Sequence, residues 1–223
     1  MNDFGIDFGT TNSCAFEFNT KQAYGDAEGR PLPSVVVIDK ATDNVFAGRE
    51  ALQGRLALTE NGNYHVISSV KSLLESDNEW YSARRRWTVS DVTAVILDQI
   101  SERAQTAGGI REAIFSIPVD MSPKARRALR EAARIAGIKV NGFVKESTSA
   151  LIRYWNDVKY CRNVVVFDWG GGTLDISTME IEGQSIHELA TRGAPIAGDW
   201  IDQDIARFVH TEIMKRRGAC QRV

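Results

Sequence analysis

The stretch that decides the reading runs Val164-Val165-Val166-Phe167-Asp168-Trp169-Gly170-Gly171-Gly172-Thr173-Leu174-Asp175-Ile176-Ser177. Four apolar residues in a row, Val164 to Phe167, suit a strand covered on both faces, although so short a run also fits a buried helix segment. Asp168, an aromatic residue, three glycines, Thr173 and Asp175 follow. Consecutive glycines cost backbone entropy inside a folded element, so they need a reason. One reason is a tight turn whose unshielded N–H groups close around phosphate oxygens. The flanking carboxylates would repel a bare phosphate, which points to a metal ion between them. The plain alternative is a glycine-rich hairpin with two solvated aspartates, and this stretch alone leaves both open.

A second copy near the N-terminus separates them. Phe4 to Phe16 reads FGIDFGTTNSCAF: an apolar strand, Asp7, an aromatic residue, Gly9, a turn rich in hydroxyls, and a second apolar strand. Asp7-Phe8-Gly9 lies 161 residues before Asp168-Trp169-Gly170. That period is too long for a solenoid and indicates a duplicated domain with two facing hairpins. Two phosphate turns, each with an aspartate at its strand end, would grip one nucleotide and its metal from opposite sides.

Composition bounds the rest. The chain has 223 residues, 43% hydrophobic and 25% charged, as in ordinary soluble domains. A net charge of −2 gives no electrostatic case for nucleic acid or an anionic membrane. Cys14, Cys161 and Cys220 are too few and too scattered for a disulfide framework or a zinc site. No signal peptide and no bilayer-spanning apolar run is legible, so a cytoplasmic protein is expected.

Along the chain, Val35 to Ile38 and Val45 to Gly48 read as short strands and Ala51 to Leu58 as a helix. Ile67, Val70 and Leu74 fall on one face of an expected helix that carries Lys71, whose plain reading is a solvated charge. Residues 77–90 show the least order, and Arg84-Arg85-Arg86 among Trp80, Tyr81 and Trp87 reads as solvated charge rather than a nucleic-acid patch. Ser90 is the expected N-cap of a helix with Val92, Val95, Ile96, Ile100 and Ala104 on one face. Ala113 to Val119 reads as a strand stopped by Pro118. Ser122 caps the clearest helix, with Pro123 in its first turn, a stripe of Ala125, Ala128, Leu129, Ala132 and Ile135, and Gly137 closing it. Ile201, Ile205, Phe208, Val209 and Ile213 make the stripe of a last helix from Gly198-Asp199 to Lys215-Gly218.

The order of GIDFGTTNS, a lysine near position 70, SIPV before a capped helix, KEST and VVVFDWGGGTLDIS resembles the nucleotide-binding domain of the seventy-kilodalton heat-shock chaperones (DnaK-like proteins), over nearly the whole chain. The resemblance implies an α/β, actin-like ATPase (ribonuclease H-like) fold: a mixed sheet with flanking helices in duplicated lobes. The first lobe would span 1–160, with a shortened upper insertion at about 37–90, and an incomplete second lobe would span 161–223. It implies ATP or ADP with Mg²⁺, and also K⁺. Asp7 and Asp168 match the aspartates that hold the water shell of the magnesium. Gly9, Thr10, Thr11 and Asn12 match the first phosphate turn, and Gly170, Gly171, Gly172 and Thr173 the second. Lys71 and Glu146, with Asp175, match the groups that place the attacking water and the γ-phosphate. Gly198 matches a glycine near the adenosine, and Pro118 and Arg126 match an interlobe switch.

Several departures accompany the match. Ser147 stands where the family has proline, Ala197 and Trp200 replace a glycine and an acid, and Lys71 and Pro118 are only 47 residues apart. The chain stops before the family's second adenosine motif and its peptide-binding sandwich, so weak nucleotide affinity, hydrolysis near background and no client-peptide binding are expected of these residues. A co-chaperone or nucleotide-exchange partner is implied. A sugar or metabolite kinase of the same superfamily and an actin-like assembly module are the competing readings.

Overall fold

In the computed structural model, which describes residues 3–105, 108–194 and 196–220, both glycine motifs are turns of antiparallel hairpins. Strands β1 (Phe4–Phe8) and β2 (Asn12–Glu17) place Asp7 opposite Cys14. Along β1 the side chains alternate, with Phe4, Ile6 and Phe8 in the core and Gly5 and Asp7 on the other face. Short strands β3 (Gln22–Tyr24) and β4 (Leu32–Pro33) both pair with β2. A small antiparallel sheet follows, made of β5 (Val36–Asp39), β6 (Val45–Ala47), helix α1 (Gly48–Glu60) packed beside it, and β7 (Tyr64–Ile67). A 3₁₀ turn at Val70–Leu73, the hairpin β8 (Glu79–Tyr81) and β9 (Arg86–Thr88), and helix α2 (Val89–Arg103) lead back to the first sheet.

There β10 (Glu112–Ile117), helix α3 (Pro123–Ile135) and β11 (Lys139–Lys145) form a crossover unit whose strands are parallel to each other and to β1. The resulting mixed sheet has the order β11-β10-β1-β2-β3. Its core face meets α2 and α3 through Phe8, Phe115, Ile96, Leu97, Ile100 and Leu129, all essentially free of solvent. Helix α4 (Glu146–Arg153) follows β11 without a loop, and α5 (Trp155–Val158) leads to the second hairpin. Strands β12 (Asn163–Trp169), β13 (Leu174–Glu182) and β14 (Ser185–Ala194) make a separate three-stranded sheet, and helix α6 (Gly198–Cys220) ends the described chain. Among the described residues no helix is long and apolar enough to cross a membrane.

Helix α3 forms as its sequence demands. The Ser122 hydroxyl accepts from the Ala125 N–H at 3.2 Å, Pro123 opens the first turn, and Gly137 closes it at φ 72°. Its buried stripe is Ala125, Leu129, Ala132 and Ala133, and Ile135 lies at the exposed edge instead of in the stripe. The arginines on its other face are solvated.

Three local expectations between residues 66 and 90 are corrected. The N-cap of α2 is Thr88, not Ser90: its hydroxyl accepts from the Asp91 N–H while the Asp91 carboxylate accepts from the Thr88 N–H. Ser90 is freed to donate to the Ala128 carbonyl and tie α2 to α3. The helix expected around Lys71 is a strand followed by a 3₁₀ turn, because Val66 and Ile67 pair with β5 and Ser69 adopts φ 53°. Residues 77–90 are ordered as a hairpin, anchored by buried Trp87, whose indole N–H donates to Ser82 and whose ring carries the Arg85 guanidinium.

Strand β12 is covered on one face only. Val164 and Val166 pack toward Leu151 and Met179, whereas Val165, Phe167 and Trp169 stand 63%, 57% and 54% exposed. Helix α4 occupies one side of this three-stranded sheet, and no described element lies across the other. Helix α6 runs past Gly218 to Cys220, and Ile205, Phe208, Val209 and Ile213 of its apolar stripe are exposed.

Replacing Thr88 by alanine removes the reciprocal cap and is expected to destabilise the protein by about 1 kcal/mol, or about 2–4 °C in Tm. Thr88→Ser should recover most of the loss in thermal unfolding. An unchanged Tm for Thr88→Ala would contradict the capping assignment.

Candidate functional site

The two hairpin turns face each other. In the first, the Gly9 N–H donates to the Ser13 hydroxyl at 3.2 Å and the Ser34 hydroxyl donates to the Gly9 carbonyl at 2.8 Å. In the second, the Gly170 N–H closes the turn on the Thr173 carbonyl at 3.0 Å. None of Gly170, Gly171 and Gly172 lies in the left-handed region, so conformational freedom does not explain them. Proximity does. A Cβ on Gly171 would overlap the Thr11 hydroxyl, and one on Gly172 would come within 2.7 Å of the Thr10 hydroxyl. The glycines are what lets the second turn close against the first.

The start of α6 buttresses the second turn from behind. The Gly198 N–H donates to Gly170 and the Asp199 N–H to the Gly171 carbonyl, at 3.1 and 2.8 Å. The Asp199 carboxylate accepts from the Ser69 hydroxyl at 2.9 Å, next to the 3₁₀ turn that carries Lys71. Ser69, the two turns and α6 therefore form one connected framework.

Between the turns lies a polar cleft of about 450 Å³. Most of the candidates from the sequence meet there: Asp7, Gly9, Thr10, Thr11 and Asn12 from the first side, Asp168, the three glycines and Thr173 from the second. Lys71 and Glu146 complete it, joined at 2.5 Å and only 11% and 16% exposed at their side chains. The solvated reading of Lys71 is thereby overturned. Burial raises the Glu146 carboxyl above its ordinary range; the ammonium of Lys71 opposes that shift without cancelling it, and Asp7 and Asp168 add to it. Asp168 is likewise raised, by burial first and then by Asp175 and Asp7.

Four candidates do not line the cleft. Asp175 sits opposite Asp168 in the β12–β13 pair, where it accepts from the Thr173 hydroxyl at 3.0 Å and is raised mainly by burial. The equivalent place in the first hairpin holds Cys14, whose thiol burial and Asp7 push up to about 11, so it is uncharged at neutral pH. Gly198 lies behind the second turn, and Pro118 and Arg126 lie beyond the cleft, where the Arg126 guanidinium donates to the Met121 carbonyl at 2.9 Å. Ser147, next to Glu146, is buried with its hydroxyl unpaired among the described residues.

Three lining residues were not singled out from the sequence. Ser116 donates to the Asp7 carboxylate at 2.9 Å, while Ser149 and Ala150 come from the first turns of α4. Ser149 was legible in principle, since it lies three residues after Glu146 on the same helix face. Ser116 was visible only once β10 was paired in parallel with β1, which sets it beside Asp7.

Because Asp168, Glu146 and Asp175 all bind protons more tightly in the fold, their contribution to stability is fullest below the ordinary values of 3.8 and 4.5 and is lost as pH rises through the raised values. In metal-free buffer, the Tm of Asp168→Asn relative to the parent protein should rise between pH 4 and pH 7. A difference that stays constant with pH would contradict this electrostatic account.

Comparison with known families identifies one that matches most of the chain. The family model described as Hsp70 protein matches residues 57–221, which includes Lys71, Glu146 and the whole second hairpin and leaves the first phosphate turn to be joined to them by the fold. With three quarters of its length matched, the chain belongs to the Hsp70 family.

Proposed function

We propose that this chain is the ATP-binding and ATP-hydrolysing domain of an Hsp70-type chaperone, with an actin-like arrangement of a first lobe at residues 1–160 and a second at 161–223. The observation that carries the reading is the convergence of both glycine turns, Asp7, Asp168 and the Lys71–Glu146 pair on one polar cleft. Membership of the Hsp70 family supports nucleotide and Mg²⁺ as the ligands.

The donor set suits magnesium. Among the described residues no group of three or more His, Cys, Asp or Glu is arranged to hold a metal by itself. Mg²⁺ keeps several of its waters and is usually bound through one or two carboxylates together with substrate phosphates. Asp7 and Asp168, one at the end of each hairpin strand, are such a pair, and both face the cleft. When bound there, the ion would supply positive charge to the phosphate oxygens.

The protein's own groups do the rest by position. The backbone N–H groups and hydroxyls of the two turns hold phosphate oxygens. Lys71 neutralises charge that develops on the transferring group, and Glu146, raised by burial, orders the attacking water and takes its proton. Ser116 fixes the Asp7 carboxylate, and Asp175 acts at one remove by holding the Thr173 hydroxyl.

Asp168→Asn should weaken Mg²⁺-dependent ADP binding by about 10-fold or more in calorimetry. A single-turnover assay with the protein in excess should show phosphate release from ATP that is slow, close to background, dependent on Mg²⁺ and independent of any sugar. Lys71→Ala should reduce that release to the protein-free control. Equal release by the parent protein and Lys71→Ala would contradict the assignment of hydrolysis to this cleft.

A further inference from the structure

We infer that Ser69 and Asp199 form a strut that positions Lys71 for the terminal phosphate of a bound triphosphate. This rests on the reading of the cleft proposed above and adds to it two positioning residues that stand outside the described cleft lining.

The backbone at Ser69 needs an explanation. It lies in the left-handed region, at φ 53° and ψ 42°, which a residue with a Cβ enters only at a cost. Among the described residues, glycine takes positive φ at six positions, and only Lys21, Asp43 and Ser69 do so with a side chain. Glycine would make the same turn without strain. Ser69 is also the N-cap of the 3₁₀ turn Val70–Leu73, where a serine hydroxyl ordinarily accepts from the N–H groups that follow it. It makes no such bond. The hydroxyl donates instead to the Asp199 carboxylate at 2.9 Å, 130 residues along the chain. The side chain therefore has a task at the second phosphate turn that glycine could not perform.

Both ends of this bond are fixed. The Asp199 N–H donates to the Gly171 carbonyl at 2.8 Å, and its carboxylate stands beside Gly171, which is itself pressed against Thr11. At the other end Val70, between Ser69 and Lys71, is fully buried. Lys71 is thus held twice, at its backbone by the strut and at its ammonium by Glu146 at 2.5 Å. A lysine stem is flexible, so a bond at the tip alone does not fix where the ammonium sits relative to the phosphate turn. The strut ties the root of the side chain to that turn. Its effect is confined to the terminal phosphate, because the inner phosphates are held by the turns and the metal while Lys71 meets the transferring group.

Ser69→Gly tests this, since it removes the hydroxyl and relieves the backbone together. The two effects offset, so the Tm should stay within about 4 °C of the parent. In calorimetry with Mg²⁺, ADP affinity should stay within about twofold of the parent and ATP affinity should fall about tenfold, the loss of one well-placed charge-assisted hydrogen bond. Lys71→Ala should show the same selective loss. Asp199→Ala should weaken ATP binding to a similar extent, and its combination with Ser69→Gly should add little, because one bond is lost in both. Ser69→Asn, which tolerates the left-handed backbone and carries an amide donor, should recover part of the loss. ATP binding by Ser69→Gly within about twofold of the parent, with Lys71→Ala weakened, overturns the inference and leaves the site assignment standing. Equal losses for ADP and ATP in Ser69→Gly overturn it as well, since they mark general support. Parent-like ATP binding by Lys71→Ala, or no Mg²⁺-dependent binding of either nucleotide by the parent, overturns both the inference and the functional reading.

Discussion

The close approach of two hairpin turns is the constraint on which the rest depends. Thr10 and Thr11 press against Gly172 and Gly171, with no room for a Cβ at either glycine. That contact brings two strand ends together, and with them Asp7 and Asp168. Everything else in the site is built to hold these ends. Ser13 and Ser34 bond the first turn from inside the core, while the N–H groups of Gly198 and Asp199 hold the second from behind. The bond from Ser69 to Asp199 links that support to the segment bearing Lys71.

The same arrangement sets up an electrostatic load. Three carboxylates face one ammonium across a half-buried cleft, and burial raises two of them despite the lysine. Groups held at a destabilising charge are common where a ligand supplies the missing countercharge. The second hairpin carries an additional carboxylate, Asp175, where the first has the neutral thiol of Cys14. The two hairpins therefore match in geometry and differ in charge.

The chemistry was legible in the sequence because short motifs fix it locally. The glycines after Asp168 mark the turn between β12 and β13, and the spacing of Asp168 from Asp7 pairs the two hairpins. Lys71 was not legible from spacing alone, since only pairing of β5 with β7 and the left-handed Ser69 turn it toward Glu146. The cap of α2 was misplaced by two residues because Ser90 and Thr88 are both good caps, and only Thr88 has an acid three residues on that can return its bond. The run Val164 to Phe167 looked buried on both faces because hydrophobicity records what a side chain prefers, not which neighbours are present.

The central claim is that one metal ion sits between the two strand ends, held by both hairpins. Anomalous diffraction from crystals grown with Mn²⁺ and ADP measures this directly. The account predicts a single strong peak between the carboxylates of Asp7 and Asp168, at a distance that leaves water between metal and protein. A peak bonded elsewhere, or none near these two residues with nucleotide in the cleft, would contradict it.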